Sequence, residues 1–393
     1  MVRWLVGQDN LFLPVALERD FMEPSLDLTR PTDSGIEIGV ITLGEFLKDP
    51  FNDKKISAQQ RIKEIIDAAR LADEAGLDVF GIGEHHALDF VVSAVPVVLA
   101  AIAQVTKRIR LTSAVTVLST ADPVREFENF ATLDLLSVGR AEMMVGRGAF
   151  IESFSLFGYD LNDFDALFPE KLDLLLKLNT AEKVTWPAGR FRAGLVDAEI
   201  APRPLHGQLP VWVAVGGTPQ SAMRAATLGL PMILGIIGGA SAQFKPLMEL
   251  YHRTGIEANQ PLGRLKTGVT SYMHIAKTSQ QAIEEFYPYH THYFGQLGRS
   301  RGRLMQLSRT DYERAASLEG AYFVGSPQQI IDKLLYQHSM FGHQRFMAQI
   351  DIGGLPFDKV AQTIELLATQ VAPVVRRETT SQPSILPAER EKQ

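Results

Sequence analysis

The chain has 393 residues, a formal net charge of −6, a pI near 5.9 and no cysteine, with 46% hydrophobic and 21% charged residues. This composition is typical of a globular protein, and the length allows either two medium-sized domains or one α/β barrel with insertions. The acidic balance argues against a broad basic surface for nucleic acid or anionic lipid, and a chain without cysteine has no disulfide, thiolate zinc site or iron–sulfur cluster.

Neither a membrane span nor an export signal is predicted. The longest apolar stretch, residues 91–103, is interrupted by Ser93 and Pro96 and is shorter than the roughly 20 residues that a membrane helix needs. The first apolar run breaks at Gln8, which is untypical of a signal peptide. We therefore expect a cytoplasmic protein that binds neither a membrane nor nucleic acid.

From residue 35 onward, β-like runs alternate with helical patterns. The runs are 36–43, a segment ending at Gly83, 109–118, 141–148, 210–217, 231–237, 265–276 and 344–351. Helical stripes are predicted at 57–75, near 94–106, from Pro123 to Gly139, and around 166–178, 219–228, 278–288, 326–341 and 356–371. Eight β-then-α units without a change in composition predict an α/β fold consisting of a single TIM (β/α)8 barrel with insertions. A doubly wound sheet is the alternative.

The domain boundaries follow from this pattern. Residues 1–34 are predicted to be an N-terminal extension, 35–375 the barrel, and 376–393 a disordered tail. A bare barrel needs about 250 residues, so insertions are expected, and they are placed at 186–209, 238–263 and 291–320. The last of these is basic and aromatic, which favours either a lid over an anionic ligand or a mobile surface loop.

In a TIM barrel, functional residues lie where strands end, and the second strand ends in Glu84, His85 and His86. Adjacent side chains at a strand end point to opposite faces, so the two histidines are poorly placed to share a metal ion, and no metal site is predicted. A structural, hydrogen-bonded histidine is the plain interpretation. The alternative is that His85, next to Glu84, handles a proton near neutral pH.

Two features at neighbouring strand ends are suited to an anion. Gly216, Gly217 and Thr218 open a helix directly after a strand, so backbone N–H groups could hold a phosphate there, although glycine pairs are also common in turns. Arg147 stands between two glycines after the preceding strand and offers a planar cationic fork. Together they predict a phosphorylated cofactor. Neither cluster is a Rossmann or Walker motif.

Four segments together resemble the luciferase-like flavin-dependent monooxygenases, the family that includes bacterial luciferase. The segments are GIGEHHALDF, RIRLTSAVTVLSTADPVREFENFATLDLLSVGRAEMMVGRG, FSLFGYD and VWVAVGGTPQSAMRAATLGLPMIL. The resemblance covers roughly residues 35–375. It implies a TIM barrel, reduced FMN as cofactor, molecular oxygen, and a homodimer.

The resemblance also implies roles for individual residues. His85 takes the place of the family's active-site histidine, with Glu84 and His86 beside it, and Ala114 and Val115 match a non-prolyl cis peptide against which the flavin ring packs. The remaining matched positions are expected to bind the cofactor: Glu128, a family carboxylate on the third helix; Arg147, the phosphate-binding arginine; and Gly216, Gly217, Thr218 and Gln220 of the phosphate segment.

Three departures from the luciferases separate this chain from light emission. Asp122 replaces a histidine, Gly146 replaces the reactive cysteine, and Gly216-Gly217 replaces an acidic residue and a serine. The chain is therefore expected to oxygenate another small organic molecule with O2, using reduced FMN from a separate flavin reductase. A deazaflavin-dependent oxidoreductase on the same barrel and a non-catalytic flavin-binding protein are the alternatives.

Overall fold

The computed structural model describes residues 35–300 and 305–380, so the predicted extension 1–34 lies outside the described residues. The strands, in chain order, are β1 (Glu37–Thr42), β2 (Val79–Ile82), β3 (Arg110–Ser113), β4 (Thr116–Val117), β5 (Ala141–Gly146), β6 (Lys183–Trp186), β7 (Leu195–Glu199), β8 (Val211–Val215), β9 (Met232–Gly235), β10 (Thr267–Ile275), β11 (Phe323–Gly325) and β12 (Arg345–Gln349).

Helices follow most strands. The α-helices are α1 (Ala58–Glu74), α2 (Val95–Val105), α3 (Pro123–Ser137), α4 (Glu152–Leu156), α5 (Phe164–Thr180), α6 (Pro219–Thr227), α7 (Lys245–Glu257), α8 (Ser279–Ser300), α9 (Arg309–Ala316), α10 (Pro327–Phe341), α11 (Phe357–Leu366) and α12 (Ala372–Thr380). A π-helical turn, Leu367–Val371, joins α11 to α12, and short 3-10 turns lie at Leu161–Asp163, Ser241–Phe244, Leu262–Arg264 and Ile352–Gly354.

The parallel strands close into a barrel in the order β1, β2, β3, β5, β8, β9, β10, β12 and back to β1. A doubly wound sheet is open at both edges, whereas here β12 pairs with both β1 and β10. The predicted TIM barrel is confirmed, and the doubly wound alternative is wrong.

The third predicted strand, 109–118, is divided into two. Its first part, β3, pairs with β2 and β5, and its second part, β4, pairs with the end of β5. The interruption falls at Ala114–Val115, where the peptide bond is cis. The helix after this strand begins at Pro123 as predicted, and the Asp122 side chain caps it by accepting hydrogen bonds from the Val124 and Arg125 amides.

The predicted insertions differ in their outcome. Segment 186–209 does leave the barrel, because β6 and β7 form a separate antiparallel hairpin. Segment 238–263 is not an insertion, since its helix, α7, is the regular connection from β9 to β10. Strands β8, β9 and β10 belong to one continuous parallel ladder.

The prediction of a loop over 291–320 is wrong for most of that segment. Helix α8 continues to Ser300, and α9 forms a further helix whose Tyr312 is fully buried. The physical reason is a stripe of aromatic side chains at helical spacing: Phe286, His290, Tyr293 and Phe294 are all buried. The predicted disordered tail also begins too early, because α12 extends to Thr380; residues 381–393 lie outside the described residues.

A charged layer closes the amino-terminal end of the barrel interior. Arg345 donates to both carboxylate oxygens of Glu142, at 2.6 and 3.0 Å, and to Glu37 at 2.8 Å. Its guanidinium also lies 4.1 Å from the centre of the Trp212 ring. Above this layer the interior is filled by an apolar cluster: Ile41, Val79, Met144, Trp212, Ile233 and Met347. In the described barrel the interior is therefore packed at its amino-terminal end, which leaves the carboxyl end of the interior for a ligand.

Candidate active site

Small residues form a floor at the carboxyl end of the barrel interior. Side chains alternate along a strand, so the inward positions of Val79, Met144 and Trp212 continue, two or four residues later, to glycines. Together with Ala114, which packs against the same interior cluster, they define the small-residue floor: Gly83, Ala114, Gly146 and Gly216. A Cβ added at Gly216 would have no atom within 4 Å. A flat ligand can therefore approach the backbone at Gly216, whereas the space beside Gly83 and Gly146 is filled by Leu43 and Val115.

Glu84 and His86 form a pair at the edge of this floor. One carboxylate oxygen of Glu84 lies 2.8 Å from His86 Nε2, and the other accepts a hydrogen bond of 2.8 Å from the Val117 amide. Glu84 thus links the end of β2 to β4. The His86 ring also makes an edge contact with Phe157, at 4.9 Å between centroids. Because His86 pairs with Glu84 and contacts Phe157, we interpret it as a residue that holds the Glu84 side chain in place.

His85 has a different environment. Its ring stacks on Phe90, with centroids 4.0 Å apart, and meets Phe150 edge-on at 4.5 Å. The side chain is 8% exposed, and its Nδ1 lies 3.5 Å from a carboxylate oxygen of Glu152. Although burial opposes ionisation, the contact with His85 and nearby amides holds the pKa of Glu152 below its usual value. An imidazole held between two aromatic rings and near a carboxylate is well placed to hold or pass a proton.

A third acidic residue, Glu126, was missed by the sequence analysis. It lies on the first turn of α3, and burial together with the charges of Glu84 and Asp122 raises its pKa to about 7. Glu128, which the resemblance implied, pairs instead with Arg125 on the same helix, at 3.0 Å. The sequence alone could not show which of Glu126 and Glu128 would have the raised pKa, because both lie on α3 and only the orientation of the helix distinguishes them.

Glu126→Gln is expected to alter how stability depends on pH. A carboxyl whose pKa is raised to about 7 binds its proton more tightly in the folded chain, so stability falls as the pH rises from the unfolded value, roughly 4.3, through that range. Glutamine removes this loss and should raise the free energy of unfolding by about 1–2 kcal/mol more near pH 8 than near pH 5. Urea unfolding at both pH values tests this, with Glu128→Gln as the control. Equal effects at both pH values would contradict it.

The anion-binding features meet at one corner of the floor. Arg147, at the end of β5, donates to Thr218 Oγ1 at 3.2 Å and to Asp165 at 2.7 Å, and it lies over the Phe164 ring. Thr218 directly precedes α6, where Pro219 has no N–H and the Ser221 and Ala222 amides donate to the Thr218 carbonyl, so the helix start offers an anion the Gln220 amide and the positive end of the helix dipole. Burial and the charge of Arg147 lower the pKa of Arg224 on the same helix, so two guanidinium groups lie near each other. We call Arg147, Thr218 and the start of α6 the anion corner.

The remaining predicted positions lie around this corner. Gly217 has a φ of +109°, and a Cβ added there would meet only Phe244, at 4.0 Å. Gln220 is exposed on the first turn of α6. Asp122, where luciferases have histidine, pairs with Arg192 of the hairpin insertion at 2.9 Å. Burial acts to raise the pKa of Asp122, but the hydrogen bonds from Arg192 and from the first amides of α3 outweigh it, so the pKa is lowered. Its observed role is therefore to cap α3 and anchor the insertion.

Within residues 35–300 and 305–380, no group of three or more metal-ligating side chains is placed to hold a metal ion. None of the helices in that part of the chain is long and apolar enough to cross a membrane.

Comparison with known proteins adds family evidence to this geometry. The sequence is 25% identical over 360 residues to the alkanal monooxygenase alpha chain of Photorhabdus laumondii subsp. laumondii, covering 86% of this chain and 99% of that one. It is 24% identical over 344 residues to the oxygenase component of the flavin-dependent trigonelline monooxygenase of Acinetobacter baylyi, covering 81% and 92%.

Solved structures of low identity support the fold. The monooxygenase RslO1 of Streptomyces bottropensis superposes with a TM-score of 0.74 at 24% identity, covering 86% of this chain and 99% of that one. The oxygenating constituent of 3,6-diketocamphane monooxygenase from Pseudomonas putida, in complex with FMN, gives 0.70 at 20% identity, covering 86% and 98%. A coenzyme F420-dependent tetrahydromethanopterin reductase from Methanopyrus kandleri gives 0.65 at 17% identity, covering 87% and 99%.

The profile of the luciferase-like monooxygenase family matches residues 41–344, which is most of the chain. This range includes the end of β1, the small-residue floor, His85 and the anion corner. The chain belongs to the luciferase-like monooxygenase family and is an oxidoreductase of the class that incorporates oxygen into its substrate.

Proposed function

We propose that this protein is an FMN-dependent monooxygenase that uses O2 and reduced FMN, supplied by a separate reductase, to oxygenate a small organic substrate. The observation that carries the proposal is the juxtaposition of the small-residue floor with the anion corner, with His85 at the edge. A flat ring joined to a phosphate by a flexible chain fits these two features together. An oxidase whose cofactor has no phosphate would not need the anion corner.

The residues present fit FMN in their chemistry. Ala114, Val115 and Gly216 offer backbone and small side chains to a planar ring. A phosphate could accept hydrogen bonds from the Arg147 guanidinium, the Thr218 hydroxyl and a backbone amide at the start of α6. When bound, reduced FMN supplies the electrons that activate O2. The packed apolar interior below the floor excludes water from that side, His85 holds a proton at the edge, and Glu84 fixes β4 through the Val117 amide.

The separate reductase is proposed because the described residues form one barrel with no second nucleotide-binding unit. Two proteins similar to this chain are named as an oxygenase component and an oxygenating constituent, which supports the same division of labour. A cytoplasmic location is proposed with it, since reduced flavin has to be transferred from the reductase before it oxidises in solution.

Anaerobic titration tests the proposal. The protein is titrated with reduced FMN and, separately, with coenzyme F420, and the FMN complex is then mixed with O2 across a panel of small organic substrates. Incorporation of labelled oxygen from 18O2 into a product supports the monooxygenase. Hydride transfer with F420 and no oxygenation would favour the deazaflavin alternative, and tight flavin binding without any turnover would favour a flavin-binding protein.

A homodimer is proposed through the outer faces of α2 and α3. Apolar side chains are exposed on both helices and just beyond α3: Val97, Val105, Leu135, Leu136 and Val138. Val97 and Val138 are 70% and 67% exposed. Several exposed apolar side chains on two adjacent helices are typical of a surface buried by a partner.

Replacing Val97 and Leu135 together with glutamate is expected to convert the dimer to a monomer. Two charges buried at the centre of such an interface cost several kcal/mol in association, roughly a hundredfold or more in the dissociation constant. Sedimentation velocity measures the outcome. Val196→Glu, at a still more exposed valine of the β6–β7 hairpin, is the control and should leave the dimer intact. A monomeric parent protein would overturn the proposed interface.

A further inference from the structure

The loops after β1 and β2 are joined beside the candidate active site. Glu45 and Phe90 form an isolated antiparallel bridge, and the Val91 amide donates to the Gly44 carbonyl at 2.9 Å. Residues directly opposite in such a bridge have Cβ atoms about 5 Å apart on the same face. The Phe90 ring in turn stacks on His85 at 4.0 Å. Glu45 is therefore separated from His85 by one aromatic ring.

The Glu45 side chain is buried with an unused carboxyl oxygen. Its exposure is 0%, and Oε1 accepts a hydrogen bond of 3.0 Å from Gln349 on β12. Its Oε2 has no hydrogen-bond partner, and neither has Oδ1 of Asp351, which is also buried. Buried polar atoms are rarely left unpaired, because each costs about 1–3 kcal/mol. Two such carboxyl oxygens in one cluster call for a shared explanation.

The cluster contains one cation for its two carboxyl groups. Arg61 donates Nε to the backbone carbonyl of Glu45 at 2.9 Å, and its Nη2 contacts the Asp351 carboxylate, which also accepts from Thr42. Glu64, a half-buried acid, lies 3.7 Å from the same guanidinium. In the described part of the chain no Lys or Arg side chain pairs with the Glu45 carboxyl. Two buried ionised carboxylates beside a single guanidinium carry an uncompensated charge.

One proton removes that charge and supplies the missing hydrogen bond. Burial, and then the charge of Asp351, raise the pKa of Glu45 well above its usual value. Burial, then the charges of Tyr293 and Tyr322, and last that of Glu45 raise the pKa of Tyr272, so this phenol stays neutral and adds no charge to the cluster. A protonated Glu45 can donate from Oε2, whereas ionised Asp351 can only accept.

We propose that Glu45 and Asp351 form a carboxylic acid–carboxylate pair sharing one proton, and that this pair is a positioning device for His85. The pair ties the loop after β1 to β12. This tie holds the main-chain bridge between Glu45 and Phe90 in place, and the Phe90 ring fixes the plane of the His85 imidazole. The inference rests on the proposed function only in taking His85 as the residue that holds a proton in the site. Neither acid contacts His85, so both act through Phe90.

Glu45→Gln and Glu45→Ala separate this role from simple packing. The glutamine amide can still donate to Asp351 and accept from Gln349, so Glu45→Gln should keep oxygenation within about threefold. Glu45→Ala leaves the main-chain bridge without its side-chain anchor on β12 and should lower kcat about ten- to a hundredfold, because the imidazole is held less firmly in one orientation. Its effect on the dissociation constant of reduced FMN should stay within about threefold. Glu64→Gln, at the other acid beside Arg61, is the control and should change neither value.

Two spectroscopic measurements on the flavin-free protein make the result independent of turnover. Infrared spectra at neutral pH should contain the stretching band of a protonated, buried carboxyl group that disappears in Glu45→Gln. NMR of histidine labelled with 15N, assigned with His85→Ala, should show the His85 ring signals shifted in Glu45→Ala and unchanged in Glu45→Gln. Absence of the protonated band, as with an ionised Glu45 bound to water, overturns the proposal. So do unchanged His85 signals in Glu45→Ala. Intact spectroscopic effects in a protein that oxygenates nothing would refute the proposed function alone.

Discussion

His85→Ala is expected to lower the rate of oxygenation by about 10²- to 10⁴-fold, the usual range for lost acid–base assistance. Reduced FMN should still bind within a few-fold, because the floor and the anion corner do not include the His85 side chain. The imidazole is held between Phe90 and Phe150 and near Glu152, so several contacts fix its orientation. Stopped-flow absorbance after mixing the reduced complex with O2, together with product yield, measures both effects.

His86→Ala is the matched control. His86 pairs with Glu84 and meets Phe157, so its loss should weaken the support of β4 and lower oxygenation much less than the loss of His85. His85→Asn, which keeps a polar side chain in the aromatic sandwich, covers the possibility that alanine unfolds the loop. If a folded His85 variant forms product at the parental rate, the histidine is structural and another group handles the proton.

The regular parts of the barrel could be predicted from sequence because each follows from a local pattern. Alternating helical and β-like runs determined the order of the strands, and the helix predicted from Pro123 begins at that residue. The strand-end rule of the TIM barrel then brought together Glu84, His85, Arg147 and Thr218. The structure places all four at the carboxyl end of the barrel.

Features that depend on long-range packing were not predictable. The sequence analysis missed the buried stripe of α8 because its aromatic residues alternate with polar ones, and a basic, aromatic composition is also typical of loops. Burial, and then the charge of Glu84, which is distant in sequence, raise the pKa of Glu126. Burial, and then the charge of Asp351 at the opposite end of the chain, raise the pKa of Glu45. A single sequence carries no local signal for such pairs, since burial and proximity arise only after the barrel closes.

Arg147→Ala is expected to weaken FMN binding about ten- to a hundredfold while leaving riboflavin binding nearly unchanged. A lost charge-assisted contact to a phosphate is worth about 1.5–3 kcal/mol, and riboflavin has no phosphate. Arg147 donates to Thr218 directly before α6, so the guanidinium and the hydroxyl lie next to each other at the start of that helix. Isothermal titration of both ligands with wild type and variant measures the ratio. Asp165→Asn is the control: it removes the carboxylate that also contacts Arg147 but leaves the cation in place, so FMN should bind with equal or greater affinity. Equal losses for FMN and riboflavin in Arg147→Ala would mean that the anion corner does not bind the phosphate and that Arg147 only supports the fold around Phe164.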